Sequence, residues 1–231
     1  MAHIPSKIAR VRAGSAAAGA ALAMGASVAA TFAAGPALAS GLLGSSPATA
    51  DLMDHYQGDI PDGSVQVAGS GTFRDYGGRS RFSGRVATVK CFENNPLVRQ
   101  RLTREDGEGR VLVVDGGGST RCALMGDMLA KGAVERGWSG VIINGAVRDT
   151  AEISLLTAFG CKALASHPAK SQKVTPGEAD VPVTFAGIRF RPGQYVYADE
   201  DGVVVSDREL RVPPDLAAAP ERGGGAGRSK L

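Results

Sequence analysis

The chain is poor in the residues that stack, bridge or span. Aromatics make up 5% of it, with a single tryptophan, so a base-stacking surface for nucleic acid is not expected. Its three cysteines, Cys91, Cys122 and Cys161, are odd in number and widely spaced, with no CxxC pair. Neither a zinc site nor a disulfide framework follows; buried free thiols in a reducing compartment do. Residues 1–50 contain no acid, and Lys7, Arg10 and Arg12 there account for the whole formal charge of +3. The remainder is balanced, which removes the basic footprint of a nucleic-acid binder. A strong membrane run is lacking too. Residues 13–48 are uncharged, but alanine contributes little transfer energy and Pro36 interrupts them, so no membrane association is expected.

Glycine is abundant, with 32 residues, pointing to tight turns and close backbone approaches. Three regions follow. Residues 1–46 are an Ala/Gly-rich extension, either disordered or targeting; Ala37-Leu38-Ala39 resembles a signal-peptidase site, and the composition also suits an organellar transit peptide. Residues 47–212 form the compact part. Residues 213–231 are a flexible tail ending in Ser229-Lys230-Leu231, the tripeptide of a peroxisomal import signal. The two ends give conflicting addresses. The C-terminal one is more specific in position and sequence, so a peroxisomal location is expected, with organellar, secretory or cytoplasmic alternatives.

Within the compact part, Thr49 caps a short helix to about Tyr56, Phe82–Phe92 reads as a strand, and Asn94–Leu102 as a helix. Val111–Val114 is a short apolar run that suits a buried strand, and it ends in the forced turn Asp115-Gly116-Gly117-Gly118. A short extended piece runs through Met125. Asp127 then reads as the N-cap of a helix to about Arg136, with Gly137 at C′. Val141–Asn144 is the next buried strand, and short strands are expected at 162–166, 181–190, 195–198 and 202–206. The class is α/β, with a central strand, glycine turn, helix and strand.

The glycine turn fails the dinucleotide fingerprint, because Arg121 stands at the third glycine position, and it lacks a P-loop Lys-Ser/Thr. A structural turn is the better reading. His167, before Pro168, has the residue type of a metal ligand or phosphocarrier, and Lys90 that of a Schiff-base lysine; an incidental loop histidine and a strand-edge lysine explain them as well. Gly126-Asp127-Met128-Leu129 opens a helix, whose free N–H groups suit an anion. Arg148 offers a planar fork for a carboxylate, and Asp149 a hard oxygen ligand for Mg²⁺ or Mn²⁺. Taken singly, an N-cap and a surface ion pair explain these residues.

Three motifs in order change that weighting: Val111 to Arg121 (VLVVDGGGSTR), Gly137-Trp138-Ser139-Gly140 leading into VIINGAVRD, and Tyr197-Ala198-Asp199. Together they resemble the RraA-like family over about residues 48–210. That family includes the ribonuclease E inhibitor and the 4-hydroxy-4-methyl-2-oxoglutarate aldolases. The resemblance implies a ββα swivelling-type fold assembled as homotrimers or hexamers. The aldolases carry an Asp, twenty intervening residues, then Arg-Asp, which Asp127 and Arg148-Asp149 match; the inhibitor branch lacks the final acid.

By that resemblance Asp149 holds a divalent cation (Mg²⁺ or Mn²⁺), largely through waters. Arg148 and the backbone of Gly126, Asp127, Met128 and Leu129 hold the pyruvyl carboxylate, and Asp127 positions a water. Asp127 and Arg148 are then the catalytic residues. Some family aldolases add a Glu from a neighbouring subunit's C-terminal extension; no counterpart is assigned in the tail from Pro213. The implied activity is cleavage of 4-hydroxy-2-keto acids, with oxaloacetate decarboxylation through the same enolate. The alternative is a non-catalytic regulator of an RNA-processing enzyme.

Overall fold

The computed structural model describes residues 46–174 and 176–213. The uncharged N-terminal stretch with Ala37-Leu38-Ala39, and the tail with Ser229–Leu231, lie outside them. The elements in chain order begin with α1 (Thr49–Tyr56), β1 (Val65–Val67), β2 (Arg74–Asp75), β3 (Phe82–Lys90), α2 (Pro96–Arg104) and β4 (Val111–Asp115). Next come β5 (Ala123–Met125), α3 (Asp127–Glu135), β6 (Gly140–Val147), α4 (Thr150–Ser154) and β7 (Gly160–Ser166). The last are β8 (Glu178–Ala179), β9 (Val183–Phe185), β10 (Ile188–Phe190), β11 (Tyr195–Ala198) and β12 (Val203–Ser206).

Strands β3, β4, β6 and β7 lie side by side in parallel. Antiparallel β11, β12 and β1 extend the sheet beyond β3, and β2 closes the other side on β7. The parallel strands are buried on both faces, so they read as continuous apolar runs rather than alternating ones. Leu112, Val114, Val141 and Ile143 face α2 and α3, where Val98, Leu102, Ala130 and Ala133 meet them. Val111, Val113 and Ile142 face the other way, onto the β9–β10 hairpin with Phe185 and Phe190. Helix layer, sheet and hairpin thus make three layers, an α/β architecture as the sequence predicts.

Two caps differ from expectation. The N-cap of α1 is Ala48, and Thr49 instead donates from its amide and hydroxyl to the buried Asp199 carboxylate at 2.6 and 2.5 Å. The N-cap of α3 is Gly126, with Asp127 in the first helical position. Gly137 does stand at C′ with φ 72°, donating to Val134 at 3.0 Å. Strand β6 runs three residues past Asn144, and α2 starts at Pro96, a favoured first position for proline. Cys91 and Cys161 are buried, Cys122 is half-buried, and all three are free. Burial pushes the Cys91 thiol up to about 12. Among the described residues no helix is long and apolar enough to cross a membrane.

Candidate active site

The twenty residues between Asp127 and Arg148 form a crossover, α3 then β6, and its two ends meet because β5 pairs with β6 in parallel. Met125 lies opposite Val147, so the residues that follow each strand are neighbours. Arg148 N–H donates to the Met125 carbonyl at 3.0 Å and closes the junction. The place is the carboxyl edge of the parallel strands, where α/β sheets gather ligand groups.

Asp149 is held in the left-handed region, φ 55° and ψ 43°, as the N-cap residue of α4. Aspartate tolerates this better than most residues, yet the conformation is costly and clusters at functional sites. Its Oδ2 lies 3.3 Å from Arg148 Nε and accepts from the Asp127 amide at 3.4 Å. Both contacts are long for charge-assisted bonds. The Arg148 and Asp149 side chains keep 38% and 34% of their surface exposed, which leaves room for a ligand to displace solvent. Gly126 makes the approach possible. A Cβ there would stand 2.5 Å from Asp149 Oδ2 and 3.1 Å from Arg148 Nε.

Asp127 carries a third charge. Lys131, one turn on, donates to its Oδ2 at 2.7 Å. That bond, with a lesser contribution from the Met128 amide, holds the Asp127 carboxyl below its usual range against the opposing effect of burial. The helix-start amides are partly engaged already, Leu129's with the Gly126 carbonyl at 3.1 Å. Met128 contributes backbone only, and its side chain is 73% exposed.

Sequence reasoning missed a second feature on this side. Asn95 Nδ2 donates to the Leu124 carbonyl at 2.9 Å, just ahead of Gly126, while its Oδ1 is buried without a partner among the described residues. Asn95, Arg99, Arg104 and Lys173 line a cavity of about 370 Å³ with no acid among its lining residues. The only signal for it in sequence was the run of arginines on α2.

His167 follows β7 on the same edge. Its amide donates to the Val147 carbonyl at 2.8 Å, and its Nδ1 accepts from the Ala169 amide at 3.2 Å. Lys90 is exposed at the end of β3. Among the described residues no group of three His, Cys, Asp or Glu side chains is placed to hold a metal ion. Asp149 alone therefore fits only an ion that keeps most of its waters, which is how Mg²⁺ is commonly held.

The RraA-like family model, Aldolase/RraA, matches residues 49–205. The chain belongs to the RraA-like family. A Pseudomonas putida (strain W619) protein named "Putative 4-hydroxy-4-methyl-2-oxoglutarate aldolase" is 52% identical over 165 residues, covering 71% of this chain and 96% of its own length. A Stutzerimonas stutzeri (strain A1501) protein of the same name is 51% identical, over 71% and 97%. Two solved structures share the RraA-like fold at TM-score 0.65, each over 71% of this chain. One is titled an S-adenosylmethionine:2-dimethylmenaquinone methyltransferase from Geobacillus kaustophilus, 48% identical over 97% of its length. The other is titled the RNA-processing inhibitor RraA from Thermus thermophilis, 45% identical over 95%. Three activities are named among close relatives, so the residues at the site must decide between them.

Proposed function

We propose that the chain is a divalent-metal-dependent carbon–carbon lyase. It cleaves 4-hydroxy-4-methyl-2-oxoglutarate-type 4-hydroxy-2-keto acids to pyruvate and a second keto acid, and it decarboxylates oxaloacetate. The observation that carries this reading is the part-exposed Asp149 carboxylate, 3.3 Å from Arg148 Nε and 3.4 Å from the Asp127 amide at the α3 start. Asp149 would hold the cation, Mg²⁺ or Mn²⁺, mainly through waters; when bound, the cation supplies Lewis-acid polarisation of the substrate's 2-keto oxygen.

Arg148 binds the pyruvyl carboxylate with its planar fork, aided by the N–H groups at the α3 start. The C3–C4 bond breaks as the 4-hydroxyl gives its proton to solvent water, and the electron pair moves toward C3 and the keto oxygen. The guanidinium stabilises the charge that develops there. A water held on the Asp127 carboxylate returns a proton to C3, giving pyruvate. Oxaloacetate loses CO₂ by the same electron path. The basic cavity of Arg99, Arg104 and Lys173 suits the second carboxylate of such substrates. Met128 and Leu155, exposed on the two helices that flank the site, support the expectation that a neighbouring copy covers it in a homotrimer or hexamer.

The test is pyruvate release from oxaloacetate and from a 4-hydroxy-2-keto acid, with Mg²⁺ and then with EDTA. Metal-dependent release is expected. No release in either condition overturns the reading, and turnover that survives EDTA with borohydride trapping of a lysine moves the chemistry to a Schiff base. The regulator reading draws on the Thermus relative and predicts stoichiometric inhibition of an RNA-processing ribonuclease without turnover.

A further inference from the structure

The edge of the sheet opposite the candidate active site carries a further cavity. The parallel strands start in register, with Val111 opposite Gly140 and Gly140 opposite Gly160. The loops just ahead of them enclose a cavity of about 220 Å³. Strand rise puts it on the order of 20 Å from Arg148. Arg79, Ser46, Ser83 and Ser139 line it, with Trp138 and Ala158 as apolar wall.

Among the described residues, two of its polar side chains lack partners. The Ser46 hydroxyl is buried with none, although buried polar groups are normally bonded. Arg79 is half-buried, and its guanidinium faces no carboxylate within ion-pair distance among the described residues. Trp138 is fixed as a wall, donating from Nε1 to the Glu105 carbonyl at 3.2 Å with the Arg110 guanidinium stacked over its ring.

We propose that this cavity binds a small monocarboxylate. The Arg79 fork and the serine hydroxyls engage the carboxylate, and a short hydrocarbon portion lies along Trp138 and Ala158. One guanidinium with hydroxyl donors matches a single negative charge; a phosphate dianion would leave charge uncompensated. The volume of about 220 Å³ admits a carboxylate together with a short hydrocarbon portion.

Trp138 is the chain's one tryptophan and so a built-in reporter. Propionate titrated into the full chain, with tryptophan emission recorded, is expected to give a saturable change. The same change is expected in Arg148→Ala, which removes carboxylate binding at the other edge. Arg79→Ala, checked for fold by circular dichroism, is expected to weaken the response about tenfold or more, equivalent to about 1.4 kcal/mol. Should Arg79→Ala fail to fold, Arg79→Lys and Ser139→Ala are expected to weaken it in the same direction. Inorganic phosphate is the competing arm. No saturable response to propionate, an unchanged titration in the Arg79 and Ser139 variants, or tighter binding of phosphate than of propionate overturns the proposal.

Discussion

Two glycine junctions stand on the same carboxyl edge of the sheet, and they use their polar groups in opposite ways. At Asp115–Gly118, after β4, the bonds close on the protein itself. Asp115 Oδ1 accepts from the Gly117 amide at 3.0 Å and from Asn144 Nδ2 at 2.8 Å. The Gly116 and Gly118 amides both donate to the Asn144 carbonyl at 3.1 Å. Ser119 and Arg121 converge on the Glu93 carboxylate at 2.6 and 2.7 Å. At Gly126 and Arg148-Asp149, after β5 and β6, the contacts on Asp149 are 3.3 and 3.4 Å and the side chains stay a third exposed. Strain does not separate the two, since Glu93 also has positive φ, 53°. Closure does. The side-chain bonds on Asp115 and Glu93 are 2.6–3.0 Å, whereas the contacts on Asp149 are 3.3 and 3.4 Å, which leaves that carboxylate freer to take a ligand.

The sharpest way to break that contrast is Asp149→Gly. Glycine adopts φ 55° without the penalty carried by aspartate, so thermal stability should hold or rise. Turnover should fall by roughly 10²–10³-fold, the scale of losing one charge-stabilising group. A variant that keeps near-native kcat and KM removes Asp149 from its assigned role.

A paired substitution comes next. In Gly126→Ala the atoms nearest the added carbon belong to the half-exposed Asp149 and Arg148 side chains, so the site shifts while the fold holds. Activity should drop by an order of magnitude, within the roughly 10²-fold range of a 1 Å misplacement. In Gly116→Ala the added carbon would stand 2.7 Å from the Asn144 carbonyl and 2.6 Å from Leu124 Cδ1. Overpacking of that kind costs about 1–3 kcal/mol, and each kcal/mol lowers the melting midpoint by about 2–4 °C in a domain of this size. Melting curves and initial rates on both variants decide it; if Gly126→Ala loses more stability than Gly116→Ala, the contrast between the junctions fails.

The same contrast shows what could be read in sequence. The apolar runs that became β4 and β6, the α3 helix and its Gly137 terminus were legible, because two-sided burial and glycine caps leave local signatures. Strand β2 was not. It is two exposed residues, Arg74 and Asp75, and it exists through pairing with β7 and an ion pair from Asp75 to the buried Lys162 at 2.7 Å. Helix α4 was missed because it follows an Asp in a left-handed conformation, which no neighbouring residue announces. Asp127 is the reverse case. The sequence made it the cap by residue type, whereas the structure gives that position to Gly126, where any side chain would collide with Asp149. The site's three named residues were singled out by the resemblance to the aldolase pattern, whereas their loose geometry and the basic cavity beside Asn95 depend on tertiary contacts.

A smaller effect separates the junctions by pH. Hydrogen bonds from Arg121 and Ser119 hold the Glu93 carboxyl below its ordinary 4.5. A depressed folded-state value means the unfolded chain takes up the proton first. The bond network therefore stabilises the fold above pH 4.5, and that contribution is lost as pH falls from there through the lower folded value. Melting midpoints of the wild type and Glu93→Gln should differ at neutral pH and converge in acid. Parallel curves across the whole range would detach Glu93 from the turn's stability.

The smallest expected change comes from Lys131→Met. Lys131 is half exposed, so its pair with Asp127 adds little to stability, and the melting midpoint should barely move. Its weight is electrostatic. With Lys131 gone, the site meets an incoming dianion with one positive charge fewer beside Asp127. KM for oxaloacetate should rise a few-fold while kcat holds, and the rise should shrink as added salt screens the exposed charges. The Asp127 carboxyl, now held low chiefly by Lys131, should move upward in a carboxyl-carbon NMR titration of the variant. The two readouts check each other. A raised KM without the Asp127 shift would mean that Lys131 contacts substrate directly, and a shift without a KM change would make the Asp127–Lys131 pair as self-contained as the bonds at Glu93.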